Sequence, residues 1–423
     1  MSPRSSSGFP FPPKPCSPSL SRTLPPCLRV IPVRDATKLG RLRELASSRQ
    51  LDALILQLPE NVVYVTDYWP LLGMTFVVFP VDGEPALVHS NFETEAKTWI
   101  KDVRIAVSES VTEVADAFAN GLEVVRQVLE DRGLARAKVG YEGSFSSVGT
   151  GFLKYRTNSV TPGSLETMKR KLPGVSWEDA TDLLYEARSI KTELELEKLR
   201  VANEVSGFGL EAMYLGLTEG VREVDLATKI ENASVTRGVG YRGAEHVIAC
   251  AFVSSGEFTA ETYGVCFGNS PKKLRKGDFV MLEYDVVVDG YSSDMSRTYV
   301  VGQPDLKQRH LLETVYEAQV EGVRMEKDGL PAKEVCKKAE DIIRKGGYGE
   351  HLKHYFGHGV GVTIWEPHPY IHSKSSDLLK AGMVHSAEPG AYVHGYGGVR
   401  IEDNVFLSRS GPVYLSTYRP IQE

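Results

Sequence analysis

Hydrophobic and polar positions change rhythm several times along this chain of 423 residues. Residues 1–34 have no periodicity and are dominated by Ser and Pro, a composition that buries too little apolar surface to order itself, so a disordered tail is expected. The tail also lacks the apolar core of a secretory signal. From Asp35 the pattern becomes globular. Residues 36–49 read as a helix, DALILQ (52–57) as a buried strand and NVVYVTDYW (61–69) as a second strand. TFVVFPVDGEPALV (75–88) reads as a hairpin about Asp82-Gly83, 110–133 as an amphipathic helix and KVGYEG (138–143) as a returning strand. Helices alternating with strands predict an α/β domain over 35–185. Tyr68 and Trp69 close the second strand, and Tyr68 is a candidate lining residue for a substrate pocket. Such a pair is ordinarily a packed turn.

A helix is expected from Thr192 to Leu217, opened by a threonine with an acid close behind it. DLLYEARSIK (182–191), just before it, marks the joint to a second domain over 186–423. Within that domain, residues 219–238 and 328–347 align without gaps on Gly220 and Gly329. Each is a glycine turn followed by an amphipathic helix that ends in glycine, and each precedes hairpin strands. This predicts two related α+β halves with a site between their sheets.

Between those helices lies KGDFVMLEYDVVVDGYSSDMSRTYVV (276–301), two apolar strands around Asp289-Gly290, the dipeptide favoured for a two-residue hairpin turn. With that turn fixed, Val288 faces Tyr291 and Asp285 faces Asp294. Glu283 shares the face of Asp285 and lies diagonally from Asp294. Three acids on one buried face repel one another unless a cation or shared protons offset the charge, so a metal site is the simplest reading. The second half adds ligand candidates. HYFGHGVGVTIWEPHPYI (354–371) sets His354 and His358 beside glycines, and AGMVHSAEPGAYVHGYGGVRIEDNVFL (381–407) carries Glu388 and Glu402 on two apolar strands around a turn near Gly395.

Composition narrows the function. The net charge of −6, with 42% hydrophobic and 25% charged residues, gives no electrostatic footprint for nucleic acid. No apolar run is long enough to span a bilayer. The five cysteines are scattered without CxxC spacing, which points to a reducing compartment, the cytoplasm, and away from a thiolate metal site. Seven of the ten histidines fall between His351 and His394, which concentrates metal ligands and proton carriers in the second half.

Taken in order, these segments resemble the creatinase/prolidase/aminopeptidase P family of pita-bread-fold enzymes, which includes methionine aminopeptidase. The parts are ARSIKTELELEKLRVA, GDFVMLEYDVVVDGYSSDMSRT, FGHGVG, AGMVHSAEPGAYV and GGVRIED, and the likeness covers about residues 35–423. It implies an α/β N-terminal domain followed by an α+β pita-bread catalytic domain, and a homodimer. The implied metal ligands are Glu283, Asp294, His358, Glu388 and Glu402, with Asp294 binding both ions. Glu283 stands where the family has an aspartate. Carboxylates with one imidazole suit two divalent ions, or a single one, drawn from Mn, Fe, Co or Zn. Glu388 is the implied proton carrier, and Arg400, on the face of Glu402, would orient a carboxylate or a substrate acid.

Four positions depart from the peptidase pattern. Cys266 and Trp365 stand where the peptidases carry substrate-handling histidines, and neither side chain replaces an imidazole. Trp365 is then a substrate-binding candidate. Asp285 is an added acid where a small residue is usual, and enters as a catalytic candidate. His368, three residues after Trp365, is a candidate substitute imidazole. The leading expectation is a metal-dependent hydrolase of the prolidase or aminopeptidase P type, cleaving a C–N bond in a small molecule or short peptide. The alternative is a family member with altered chemistry, an amidinohydrolase like creatinase, a hydrolase like ectoine hydrolase or a dimethylsulfoniopropionate-type lyase. A metal-free binding module is the third reading.

Overall fold

The computed structural model describes residues 32–70, 74–92, 95–112, 114–144, 161–261, 269–416 and 418. The expected tail up to residue 31, and Cys266, lie outside these residues. Residues 31–423 form one compact unit.

The first part is built on a six-stranded sheet. Helix α1 (Ala36–Ser48) starts at Asp35, whose carboxylate accepts the Lys38 backbone N–H. Strand β1 (Ala53–Leu56) is fully buried, as its apolar run requires. The next segment corrects the sequence expectation, because residues 61–69 do not form a strand. Pro59–Thr66 is helix α2, with Pro at its first turn and Glu60 beside its N-terminal dipole. Every residue from Glu60 to Thr66 is buried, so no polar face interrupts the valines, and a helix buried all round resembles a strand in sequence. Asp67 ends it in the left-handed conformation.

Strands β2 (Phe76–Pro80) and β3 (Ala86–Ser90) form the expected antiparallel hairpin. After β4 (Asp102–Ala106) comes α3 (Ala117–Asp131), shorter than the 110–133 expectation because its cap is Asp116. Then follow β5 (Lys138–Tyr141), α4 (Pro162–Lys171), β6 (Ser176–Asp179) and α5 (Thr181–Ser189). The strand order is β4-β3-β2-β1-β5-β6, with parallel pairs at β3–β4, β1–β5 and β5–β6.

Helix α6 (Glu193–Gly216) opens with a complete capping box between Thr192 and Glu195. It packs with α7 (Glu223–Gly238) on the three-stranded sheet of β7 (Val247–Ser255), β8 (Phe279–Val288) and β9 (Tyr291–Val300). The second half repeats the plan. Helices α8 (Leu306–Arg324) and α9 (Ala332–Lys345) share a core with a sheet ordered β11-β10-β12-β15-β16. Its strands are β10 (Gly357–Gly359), β11 (Glu366–Ile371), β12 (Val384–Ala387), β15 (Asp403–Ser408) and β16 (Gly411–Tyr414). A separate hairpin, β13 (Gly390–Val393) with β14 (Gly397–Arg400), interrupts it. Gly220 and Gly329 both take positive φ ahead of α7 and α9, as the internal echo requires.

Two links position the site. An isolated bridge pairs Ser296 with Glu402 and so joins the two sheets. A buried ion pair at 2.7 Å joins Arg188 of α5 to Glu366 of β11, while Arg188 also donates to the Asn61 amide oxygen at 2.9 Å. Both charges are almost fully buried, so each needs the other.

Candidate metal centre

The β8–β9 hairpin has the register its sequence predicts. Asp289 and Gly290 both have positive φ, Val288 pairs with Tyr291 and Asp285 with Asp294. The same ladder sets Glu283 opposite Ser296. Glu388 and Glu402 are not within strands, contrary to expectation. Each sits at the break where the chain leaves the five-stranded sheet for the β13–β14 hairpin or returns from it. At these breaks the Glu402 N–H donates to the Ser296 carbonyl of β9 at 3.0 Å and the Glu388 N–H to the Phe356 carbonyl at 2.7 Å.

His358 lies between Gly357 and Gly359 on β10, which is hydrogen-bonded to β11 and β12 on its two sides. A Cβ at Gly357 would come within 1.9 Å of the Ser386 carbonyl oxygen, and one at Gly359 within 2.2 Å of that of His368. Only glycine admits that approach. The His358 Nδ1–H donates to the Gly359 carbonyl at 3.0 Å, which leaves the Nε2 lone pair facing Asp294 Oδ2 at 3.5 Å and Glu388 Oε1 at 3.3 Å.

Ligand atoms of Asp294, His358 and Glu402 all lie within 4.8 Å of one another, and Glu283, Asp285 and Asp294 form a second such trio. Asp294 belongs to both. Burial pushes Asp294 well above the usual carboxylate range, with the charges of Glu402 and Asp285 adding to it. Burial and then Glu388 raise Glu402 to about 7. Burial disfavours charge on His358 as well, yet the facing Glu388 and Glu402 carboxylates hold its pKa above the ordinary value. Asp285 Oδ1 and Oδ2 and Asp294 Oδ1 are buried without a hydrogen-bond donor. Crowded acids, orphaned oxygens and a free imidazole nitrogen are what a divalent cation offsets, and the donor set fits one.

Comparison with known proteins gives the family. Residues 38–190 match the creatinase/prolidase N-terminal domain, and residues 197–409 match metallopeptidase family M24. An Xaa-Pro dipeptidase of Pyrococcus furiosus is 30% identical over 379 residues, covering 90% of this chain and 97% of the relative. The chain belongs to family M24, the creatinase/prolidase/aminopeptidase P family. Among solved structures, the prolidase from Pyrococcus horikoshii OT3 aligns with a TM-score of 0.73 at 28% identity, covering 90% of this chain and 99% of that one. The prolidase from Pyrococcus furiosus gives 0.69 at 29% identity, covering 89% and 99%. The pita-bread architecture expected from the resemblance is therefore present, and the protein is a metal-dependent hydrolase by family.

In this M24 chain the other sequence candidates separate. Trp365 stands beside the centre, its ring 6.0 Å from that of His358 and its Nε1–H donating to the Tyr355 hydroxyl at 3.1 Å. Arg400 is buried and committed, forming an ion pair with Glu283 and donating from Nε to Ser296 Oγ at 2.8 Å. His368 is half-exposed and bonded through Nδ1 to Asp377 at 2.9 Å. Tyr68 is buried in the core of the first sheet, edge-on to His89, and is not brought to the carboxylates.

Sequence reasoning passed over two hydroxyl groups and left open which histidine accompanies His358. Ser296 Oγ lies 2.7 Å from Glu283 Oε2 and 2.9 Å from Glu402 Oε2, and the hairpin register would have found it. Ser386 Oγ donates to Glu388 at 3.2 Å and accepts the His358 backbone N–H at 3.1 Å. His354, not His368, is the further imidazole beside Glu388, with Nδ1 3.9 Å from Oε2. Its Nδ1–H donates to the Tyr355 carbonyl, and Nε2 accepts from the Tyr392 hydroxyl at 2.7 Å.

Proposed function

We propose that this M24 enzyme is a dipeptidase of the Xaa-Pro type that holds two divalent cations. The sharing of Asp294 between two ligand trios carries this reading. Charge supports it too. Five carboxylates and the Arg400 guanidinium leave four negative charges, which two divalent ions cancel. Asp294, His358, Glu388 and Glu402 hold the ions together with an acid from β8. The names of the relatives direct the specificity to a dipeptide ending in proline.

When bound, the cations supply an acidified water and polarise the scissile carbonyl. Asp294 accepts no donor at Oδ1 and so keeps that oxygen available. Asn404 fixes its backbone, accepting from the Asp294 N–H at 3.0 Å and donating to its carbonyl at 2.9 Å. Glu388, steered by Ser386, is placed to hold the proton given up by the attacking water and return it to the leaving proline nitrogen as the C–N bond breaks. Trp365 and Tyr355 wall one side and exclude bulk water. A homodimer in the cytoplasm completes the reading. The buried Cys250 and Cys336, both outside disulfides, suit a reducing compartment, and no described helix is long and apolar enough to cross a membrane.

Metal analysis of the purified protein together with Gly-Pro and Ala-Pro hydrolysis tests the reading. The expected result is two equivalents of metal and fast cleavage, lost by about 1,000-fold in His358→Ala. Bound metal without proline-bond cleavage would move the chain to the altered-chemistry class, and absence of both would end the enzyme reading.

A further inference from the structure

We propose that Asp285, not Glu283, supplies the β8 oxygen that binds the cations. This rests on the two-cation reading above and names a ligand at a position where the family resemblance expects a small residue. Both acids lie on the same face of β8, two residues apart, and both reach the trio around Asp294. Their partners differ completely. Glu283 is ion-paired with Arg400 and accepts the Ser296 hydroxyl at 2.7 Å. Asp285 is 2% exposed, stands directly opposite Asp294 in the ladder, and meets no N–H or hydroxyl donor at either oxygen, its polar neighbour being the carboxyl of Asp294.

Charge decides between them. Arg400 is 5% exposed, and a buried guanidinium needs its counter-ion. Turning Glu283 toward the cations would leave Arg400 unpaired beside two like-charged ions. Turning Asp285 toward them breaks no ion pair and gives up only the proton it shares with Asp294, and the cation fills the coordination that its two oxygens lack. Glu283 then acts as the anchor of Arg400. The longer side chain at 283 is what reaches Arg400 and Ser296, and the shorter acid at 285 takes the place beside Asp294.

The test is calorimetric titration of Mn2+ into the full-length, chelator-stripped protein, with manganese paramagnetic resonance to count bound ions. Wild type should take two equivalents. Asp285→Asn should lose one, or bind it at least 100-fold more weakly, and Glu283→Gln should keep both within about tenfold. Two equivalents at wild-type affinity in Asp285→Asn would overturn the proposal, as would loss of an equivalent in Glu283→Gln. Circular dichroism of the stripped proteins checks folding. If Asp285→Asn does not fold, Glu283→Gln decides alone, retention of both ions supporting the assignment. A wild-type protein that binds no Mn2+ overturns the dipeptidase reading as well, whereas two ions in wild type and in Asp285→Asn alike overturn only this assignment.

Discussion

Glu142 and Asp285 are both buried carboxylates, one in each part of the molecule, and both are pushed far above the ordinary range. Burial raises Glu142 to about 7, and burial followed by the charge of Glu402 raises Asp285 to about 8. Their surroundings are opposite. Glu142 accepts the backbone N–H groups of Gln57 at 2.8 Å and Leu58 at 3.1 Å and the Asn61 side chain at 2.7 Å, so it ties the end of β5 to the start of α2. Asp285 accepts no N–H or hydroxyl and faces other acids, with the Asp294 carboxyl as its hydrogen-bonding neighbour. Similar proton affinities thus mark a structural brace in one place and a ligand position in the other. The donors around the group, and not its titration, separate the two.

Removing each acid should therefore have different results. Glu142→Ala strands three buried donors and should cost about 3 kcal/mol in urea unfolding of the chelated protein. Asp285→Asn replaces a buried acid, held protonated without metal, by a neutral amide of the same size, and should leave the chelated protein about as stable as wild type. Equal losses in both variants would erase the distinction.

A smaller effect appears with pH. Both acids have folded pKa values above their unfolded ones near 4, so between about pH 4 and 8 the native state binds more protons and its stability falls as pH rises. Saturating Mn2+ requires ionised ligands, which reverses the share of Asp285 and leaves that of Glu142 unchanged. The melting temperature of the chelated protein should drop from pH 5.5 to 8, and added Mn2+ should flatten or invert that slope. The same slope with and without metal would contradict the ligand role.

The smallest effect belongs to a pair that is neither brace nor ligand. The hydrogen bond to Asp377 raises the pKa of His368, which is half-exposed. The stabilisation is complete below the unfolded pKa near 6.5 and is lost as pH rises through the higher folded value. Solvent screening limits it to less than about 1 kcal/mol. His368→Ala should lower the melting temperature slightly at pH 5.5 and not at pH 9.

Much of the site was legible in the chain itself. The Asp289-Gly290 turn sets the ladder, so the facing of Asp285 and Asp294 follows from counting, and the glycines around His358 mark a strand packed too closely for side chains. Two things were hidden. Helix α2 read as a strand because it is enclosed on every side, so that even Glu60, Asn61 and Thr66 are buried and no exposed polar face reveals its period. The separate fates of Glu283 and Asp285 depend on Arg400, which reaches β8 only through the crossover out of β14. Alternation assigns both acids to one face and is silent about which of them a distant guanidinium takes.

Ser296 has one hydrogen and two claimants. Its hydroxyl accepts from Arg400 Nε and points its proton at either Glu283 or Glu402, never both. Were a cation to satisfy Glu402, that one proton would be left to Glu283, and the clasp on Arg400 would gain what the centre gives up.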